Sequence, residues 1–236
     1  MADPLFSVPP AGDKTFASFY AEVGRSLKDV HHELLNELAR AITERGWIQP
    51  VDAIVARLED SGGFSKDKVR AAIAELQNKR LLTLDDTSAR FTGFLGAISF
   101  VPTPHRAHLA TGVDVYTHGG MELLTVNSTL LKAVDVFTKC PVSGKEIRLR
   151  VDKEQIVDSN IAGISGFVAE WDGSAPLEQV AADSPLFASD DDLEQWEKAN
   201  PHVRGLALPG DLLLWVGMQA AQQLGALRFK LIGHHD

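Results

Sequence analysis

The sequence predicts an α+β protein with a mainly helical first half and a mixed second half. Apolar residues recur at helical spacing in three segments between residues 29 and 82. Strand-like and helical segments then follow one another without regular alternation, which favours α+β over a parallel α/β sheet. With 236 residues, 44% of them hydrophobic, the chain can bury one large core or two modest ones.

The distribution of prolines and glycines divides the chain. Three prolines in the first 14 residues predict an extended arm that leads into a helix near residues 15–27. Pro102, Pro104 and several glycines between residues 95 and 120 predict a linker. The predicted parts are an arm with its helix (1–27), a first domain (28–95) and a second domain (96–236).

The first domain is predicted to contain three helices and a hairpin. Apolar stripes such as Leu34, Leu38 and Ile42 indicate the helices, and Ser65 is the expected N-cap of the third. This order of elements resembles a winged helix-turn-helix domain, a fold that often binds DNA through its third helix. The predicted helices cover 29–46, 49–63 and 64–82, and the predicted strands cover 81–85 and 89–94.

Charge argues against nucleic acid as a partner. The net charge of -9 gives an average field that repels phosphate. The third helix carries five basic and two acidic residues, but residues 28–90 together carry 10 basic and 11 acidic residues. Because phosphate contacts need a broad basic surface, a solvated helix face is the preferred interpretation.

Composition excludes further classes of protein. No segment of about 18 apolar residues is present, so no membrane-spanning helix is expected. The first residues lack a basic segment followed by an apolar one, which favours a cytoplasmic protein. Cys140 is the single cysteine, so the chain can form neither an intramolecular disulfide nor a site with two thiolates of its own.

Two groups of residues in the second domain resemble metal ligands at first sight. His105 and His108 can share a helical face, but the prolines before them favour an exposed basic loop. The acidic run at residues 190–192 points in different directions, so an acidic helix start is preferred over a metal cluster. The predicted helices here cover 121–137, 190–200 and 211–227, and the predicted strands cover 145–151 and 163–171.

The segment DVYTHGGME, residues 114–122, carries the candidate reactive groups. His118 and Glu122 lie on either side of Gly119 and Gly120, at a predicted helix start. A carboxylate beside small residues that leave room for a ligand is suited to proton transfer, although a capping role is an alternative for Glu122. Three interpretations apply to His118: a catalytic partner of Glu122, one ligand of a metal site, or an ordinary turn residue.

Three motifs in the second domain resemble the organomercurial (alkylmercury) lyases. Residues 140–156, CPVSGKEIRLRVDKEQI, are similar to the C-x-x-x-G segment and following strand of that family. Residues 186–209 resemble its F-A-S motif, its helical Trp and its G-L-A motif. Tyr116 and the helix start at Met121 match the segment that holds the first catalytic cysteine and the acid of the family. The resemblance implies the lyase fold from about residue 28 onward, including an N-terminal domain of winged-helix character.

The resemblance also implies that the family chemistry is incomplete here. In the family, two thiolates bind mercury while a carboxylic acid gives a proton to the departing carbon, and mercury, as a soft ion, needs the thiolates. The first cysteine matches Gly119, the acid matches Glu122, and the second cysteine matches Ala181 or Ala182. Cys140 matches a structural cysteine of the family. We therefore predict no organomercurial lyase activity.

These considerations lead to one main functional hypothesis and two alternatives. The main one is a divergent member of the lyase fold that binds or transforms another small organic molecule, with Glu122 as general acid or base. The alternatives are a ligand-sensing winged-helix regulator and a non-catalytic protein that binds a metal or ligand. No cofactor is predicted, and the sequence does not decide whether a metal ion is bound. It identifies neither the substrate nor the oligomeric state. The predicted ligand-binding residues are Tyr116, Gly119, Gly120, Asn127, Ser128, Ala181, Ala182 and Phe187.

Overall fold

The structure is a computed structural model, and it describes most of the chain. The described residues are 23–46, 48, 50–130, 133–153, 155–171 and 175–223, with only the backbone of 127–130 and 218–223. The predicted arm and most of the helix predicted at residues 15–27 lie outside them.

The helical first half agrees with the sequence pattern. Helices α1 (Asp29–Arg45), α2 (Val51–Gly62) and α3 (Lys66–Asn78) pack through apolar faces. Gly46 ends α1 in a left-handed conformation, with φ of 71°, and its N–H donates to the carbonyl of Ile42. Ser65 caps α3 by accepting a hydrogen bond from the backbone N–H of Lys68. The three predicted helices and the predicted cap are confirmed.

An eight-stranded antiparallel sheet runs through the molecule in the order β1-β2-β3-β5-β4-β6-β7-β8. The first two strands form the predicted hairpin after α3, and β7 is the predicted strand after Cys140. The strands are β1 (Leu82–Leu84), β2 (Phe91–Phe94), β3 (Ile98–Ser99), β4 (His105–Leu109), β5 (Asp114–Thr117), β6 (Val134–Lys139), β7 (Glu146–Asp152) and β8 (Gln155–Ser159).

A second, three-stranded sheet and four helices complete the described fold. The strand order is β10-β9-β11, and β9 is the strand predicted at 163–171. The predicted helices after Ser189 and at residue 211 are also confirmed as α6 and α7. The elements are β9 (Ser165–Ala169), β10 (Leu186–Phe187), β11 (Gly205–Pro209), α4 (Gly120–Leu130), α5 (Leu177–Ala182), α6 (Asp190–Ala199) and α7 (Gly210–Gln223). None of the helices in the described ranges is long and apolar enough to cross a membrane.

The linker predicted at residues 95–120 is wrong, because this segment supplies strands β3, β4 and β5. The strands are two to five residues long and rich in polar side chains, so their alternation is weak. In β3, Ser99 pairs with Gly93 and Ile98 pairs with Phe94 of β2. Backbone pairing therefore continues across the boundary predicted at residue 95.

The helix predicted at residues 121–137 is too long. Helix α4 ends at Leu130, and Val134–Lys139 form strand β6 between β4 and β7. Along β6 the side chains of Val134, Val136 and Thr138 are buried, with less buried residues between them. The apolar residues that extend the helical pattern also fit a period of two, so the sequence does not separate the two structures.

Candidate functional site

Three elements meet around the first turn of α4. Strand β5 ends at Thr117, and its hydroxyl donates to the carbonyl of Gly119 at 2.7 Å, which fixes the turn into the helix. The N–H of Met121 lies in the first turn of the helix and has no partner within it, and it donates to the carbonyl of Ser184 at 3.0 Å. The turn before α4 is thereby attached to the segment that follows α5.

The two glycines of this turn allow very close packing. A Cβ atom added at Gly119 would lie 1.8 Å from the carbonyl oxygen of Ala181 and 2.6 Å from Oε2 of Glu122. A Cβ atom at Gly120 would lie 2.8 Å from the backbone nitrogen of Leu186. The expectation that the glycines leave room for a ligand is wrong, because main-chain atoms of neighbouring segments occupy that space. The structure does bring Gly119, Glu122 and Ala181 together.

Glu122 is a buried acid with no counter-charge among the described residues. Its exposure is 9%, and its Oε2 has no hydrogen-bond partner among the described residues. Burial raises the pKa of this carboxyl group from its ordinary value of 4.5 to about 8, while its own backbone N–H acts in the opposite direction. Position in the first turn of a helix favours the ionised form, but desolvation is the larger effect. Glu122 therefore keeps its proton at neutral pH.

The imidazole of His118 lies next to strand β2. Its Nε2 lies 3.3 Å from the position of a Cβ atom at Gly93, in strand β2, and has no hydrogen-bond partner among the described residues. Burial lowers the pKa of the imidazole, partly opposed by the carboxylate of Glu178, so the ring is neutral at pH 7. No hydrogen bond joins His118 to Glu122 in the described part of the chain.

The other predicted ligand-binding residues have varied surroundings. Tyr116 lies one residue before the Thr117 hydroxyl that contacts the Gly119 turn, so strand alternation directs it to the opposite face of the sheet. Ala182 is exposed, and the ring of fully buried Phe187 packs on Trp196 with 5.7 Å between centroids. The side chains of Asn127 and Ser128 lie outside the described part.

The two histidines after the prolines form separate contacts. They lie on strand β4 rather than in a loop, and residues three apart on a strand point to opposite faces. Nδ1 of His105 is 2.8 Å from Oγ1 of Thr138, and Nδ1 of His108 is 2.8 Å from Oδ1 of Asp114. Among the residues that the structure describes, no three His, Cys, Asp or Glu side chains are grouped to hold a metal ion.

The acidic run and Cys140 form a structural contact. Ser189 caps α6 by accepting from the N–H of Asp192. The acidic run at residues 190–192 therefore forms the first turn of a helix, as predicted. The carboxylate of Asp192 accepts hydrogen bonds from the hydroxyls of Ser143 and Ser189, each at 3.0 Å, and from the buried thiol of Cys140. The turn between β6 and β7 is thus attached to the start of α6.

Sequence reasoning missed two residues that hold the Glu122 region together. Thr117 fixes the Gly119 carbonyl, and the hydroxyl of Ser184 donates to Val180 and accepts from the N–H of Ala169. Thr117 directly precedes His118 in the sequence. Its position next to the candidate residues therefore indicates a possible role in the site. Ser184 has no comparable signal, because its partners are backbone atoms of Val180 and Ala169, whose residue types do not reveal the contact.

Comparison with known proteins identifies related folds. The family model described as MerB, alkylmercury lyase, matches residues 98–222. The solved structure of the mercury-bound form of MerB2 superposes with a TM-score of 0.74 and 18% sequence identity, covering 89% of this chain and 98% of that chain. A search of curated protein sequences finds no match.

Proposed function

Because this chain belongs to the alkylmercury lyase family, we propose that it transfers a proton to or from a small organic molecule, using Glu122 and no thiol. The substrate is not an organomercurial. The reaction type is that of a lyase or an isomerase.

The state of Glu122 is the observation that carries this proposal. A buried carboxyl group without a hydrogen-bond partner at Oε2 is costly, and such groups cluster at functional sites. With a pKa near 8, Glu122 is protonated at neutral pH, and a general acid works best when its pKa lies close to the pH of its surroundings. An exposed helix-capping carboxylate needs neither property.

The cysteine count argues against mercury as the target. The one thiol, Cys140, hydrogen-bonds to Asp192 at the start of α6. Gly119 and Ala181, which the family resemblance matches to thiol positions, have no side chain that binds a soft metal ion. Their contact next to Glu122 supports the residue matching on which the assignment of the acid rests.

The proposed chemistry needs no electron carrier. In the exchange reaction a C–H bond of the substrate breaks, its proton passes to the ionised carboxylate of Glu122, and its electron pair stays on the substrate carbon. The carboxyl group exchanges its proton with solvent, and the O–H bond at Oε2 then breaks as the proton returns to the carbon. Because main-chain atoms fill the space beside Gly119, the substrate reaches Oε2 only when the end of α5 moves away from the turn.

The filled space beside Gly119 also favours a second candidate function. In a non-catalytic binding protein, Glu122 would be an inert buried acid and the Gly119–Ala181 contact a permanent part of the core. The two candidates differ in whether deuterium from solvent enters a bound molecule.

A two-arm assay tests the proposal. In the first arm, methylmercury and phenylmercury compounds with excess external thiol are incubated with the protein, and we expect negligible carbon–mercury cleavage. In the second arm, a panel of carbon acids is incubated in D2O, and mass spectrometry measures deuterium uptake. For any compound that exchanges, Glu122→Gln should lower the rate about 100-fold to 10,000-fold.

Glu194→Gln is the matched control, because Glu194 is an exposed residue of α6 that forms an i,i+4 ion pair with Lys198 on the surface. It should exchange at the wild-type rate. Rapid organomercurial cleavage would contradict the first arm. Equal exchange rates in wild type and Glu122→Gln, or no exchange in any compound of the panel, would favour the non-catalytic candidate.

A further inference from the structure

A cleft lies between the end of β9, α5 and residues 202–204. Its volume is about 420 Å³, within the range of small-molecule sites, and Glu122 is not among its lining residues. A second depression of about 390 Å³ shares Glu170, Val203 and Arg204 with it. The charged residues Glu170 and Arg204 therefore line both depressions.

The charged residues of this cleft are of both signs. Arg204 contributes a guanidinium group, and Glu170 and Asp183 contribute carboxylates. None of these three side chains forms an ion pair with a described residue, whereas Arg70 and Arg148 each pair with a carboxylate. The charges of the cleft are thus available to a bound molecule.

Apolar side chains line another part of the wall, beside the polar residues Gln179 and His202. Trp171, Val180 and Val203 line the cleft, and Nε1 of Trp171 donates to the carbonyl of Ala175 at 2.8 Å, which holds the indole in place. An oriented aromatic ring offers a flat surface to an apolar group and to a cation.

We propose that this cleft binds a small zwitterion with an apolar side group, such as an α-amino acid. A guanidinium group binds a carboxylate with two parallel hydrogen bonds, and carboxylates bind an ammonium group. Glu170 and Asp183 repel a simple anion, and Arg204 repels a simple cation, so a molecule with both charges fits the cleft best. This site is separate from the Glu122 region and does not depend on the proposed reaction.

Calorimetric titration with three probes tests the proposal. L-phenylalanine carries both charges, 3-phenylpropionate lacks the ammonium group, and 2-phenylethylamine lacks the carboxylate. We expect L-phenylalanine to bind at least about tenfold more tightly than either analogue, because each analogue leaves a charged group of the cleft without its partner. Arg204→Gln should weaken L-phenylalanine binding about tenfold or more.

Arg148→Gln is the control, since Arg148 is exposed on β7 and does not line the cleft. It and Glu122→Gln should bind L-phenylalanine like the wild type, with thermal unfolding as the check on folding. The proposal is overturned if L-phenylalanine gives no binding heat up to about 10 mM. It is equally overturned if either analogue binds as tightly, or if folded Arg204→Gln binds as the wild type does.

Discussion

At the scale of single residues, the contact between Gly119 and the carbonyl of Ala181 makes glycine obligatory at position 119. A Cβ atom there would lie 1.8 Å from a backbone oxygen, which cannot rotate away as a flexible side chain does. We expect Gly119→Ala to lower the free energy of unfolding by about 2–3 kcal/mol or more, measured by urea denaturation. Gly163→Ala is the control, because a Cβ atom at Gly163 meets nothing within 4 Å, and its effect should stay within about 0.5 kcal/mol. Similar losses in the two variants would contradict the packing described here.

The raised pKa of Glu122 has a consequence for stability. Between pH 4.5 and about 8 the folded protein keeps the proton that the unfolded chain releases. The stability from this proton is complete below pH 4.5 and is lost as pH rises toward 8. The free energy of unfolding of the wild type relative to Glu122→Gln should therefore fall with pH across this window, by up to about 1.4 kcal/mol per pH unit. Denaturation curves at several pH values measure the difference, and a flat or rising difference would mean that Glu122 is ionised in the folded state.

The site illustrates which residue-level properties a sequence can reveal. The helix start behind two glycines made Glu122 the candidate acid, the family resemblance indicates the same residue, and the structure shows that it is buried. The sequence predicted open space beside Gly119, but the carbonyl oxygen of Ala181 fills it, and Ala181 lies 62 residues further along the chain. Local patterns give chemical types and spacing, but not which distant backbone segment packs against them.

At the scale of elements, Asp192 connects the turn between β6 and β7 to the start of α6. Its carboxylate accepts from Ser143, Ser189 and Cys140. We expect Asp192→Ala to lower the free energy of unfolding by about 1–2 kcal/mol, because the buried thiol loses its acceptor and the helix loses a cap partner. Asp191→Ala removes an exposed charge from the same helix turn and should cost only a few tenths of a kcal/mol. Equal costs in chemical denaturation would show that helix electrostatics, and not this contact, accounts for the effect.

The elements that the sequence predicted well are those with one clear period. Helix α1 buries Leu34, Leu35 and Leu38 on a single stripe, and β7 alternates strictly between buried and exposed residues. Strands β4 and β5 carry His105, His108 and Asp114, whose side chains pair with neighbouring strands or with each other. Polar residues satisfied by such tertiary contacts look like loop residues in the sequence.

At the scale of the whole molecule, the distribution of charge sets what the surface can bind. The chain carries a net charge of -9. Two basic side chains of α3 are paired with acids: Arg70 with Asp52 at 2.6 Å and Lys66 with Glu59 at 3.2 Å. We expect no retardation of duplex DNA on a gel at about 0.15 M salt, and at most weak binding at about 0.05 M, because the net charge is negative and two cations of α3 are already paired. Sequence-selective retardation at the higher salt concentration would instead favour a ligand-sensing regulator.

The pairing of β2 with β3 bears on how the chain can be divided. A cut at residue 95 would leave β3 as an open edge, with the N–H and carbonyl groups that now bond to Gly93 and Phe94 exposed. Such edges recruit strands from other molecules, so a fragment beginning at residue 96 is expected to aggregate. The helical half would in turn lose the sheet partner of its hairpin. Any recombination of this protein with relatives at that point therefore has to exchange β2 and β3 together.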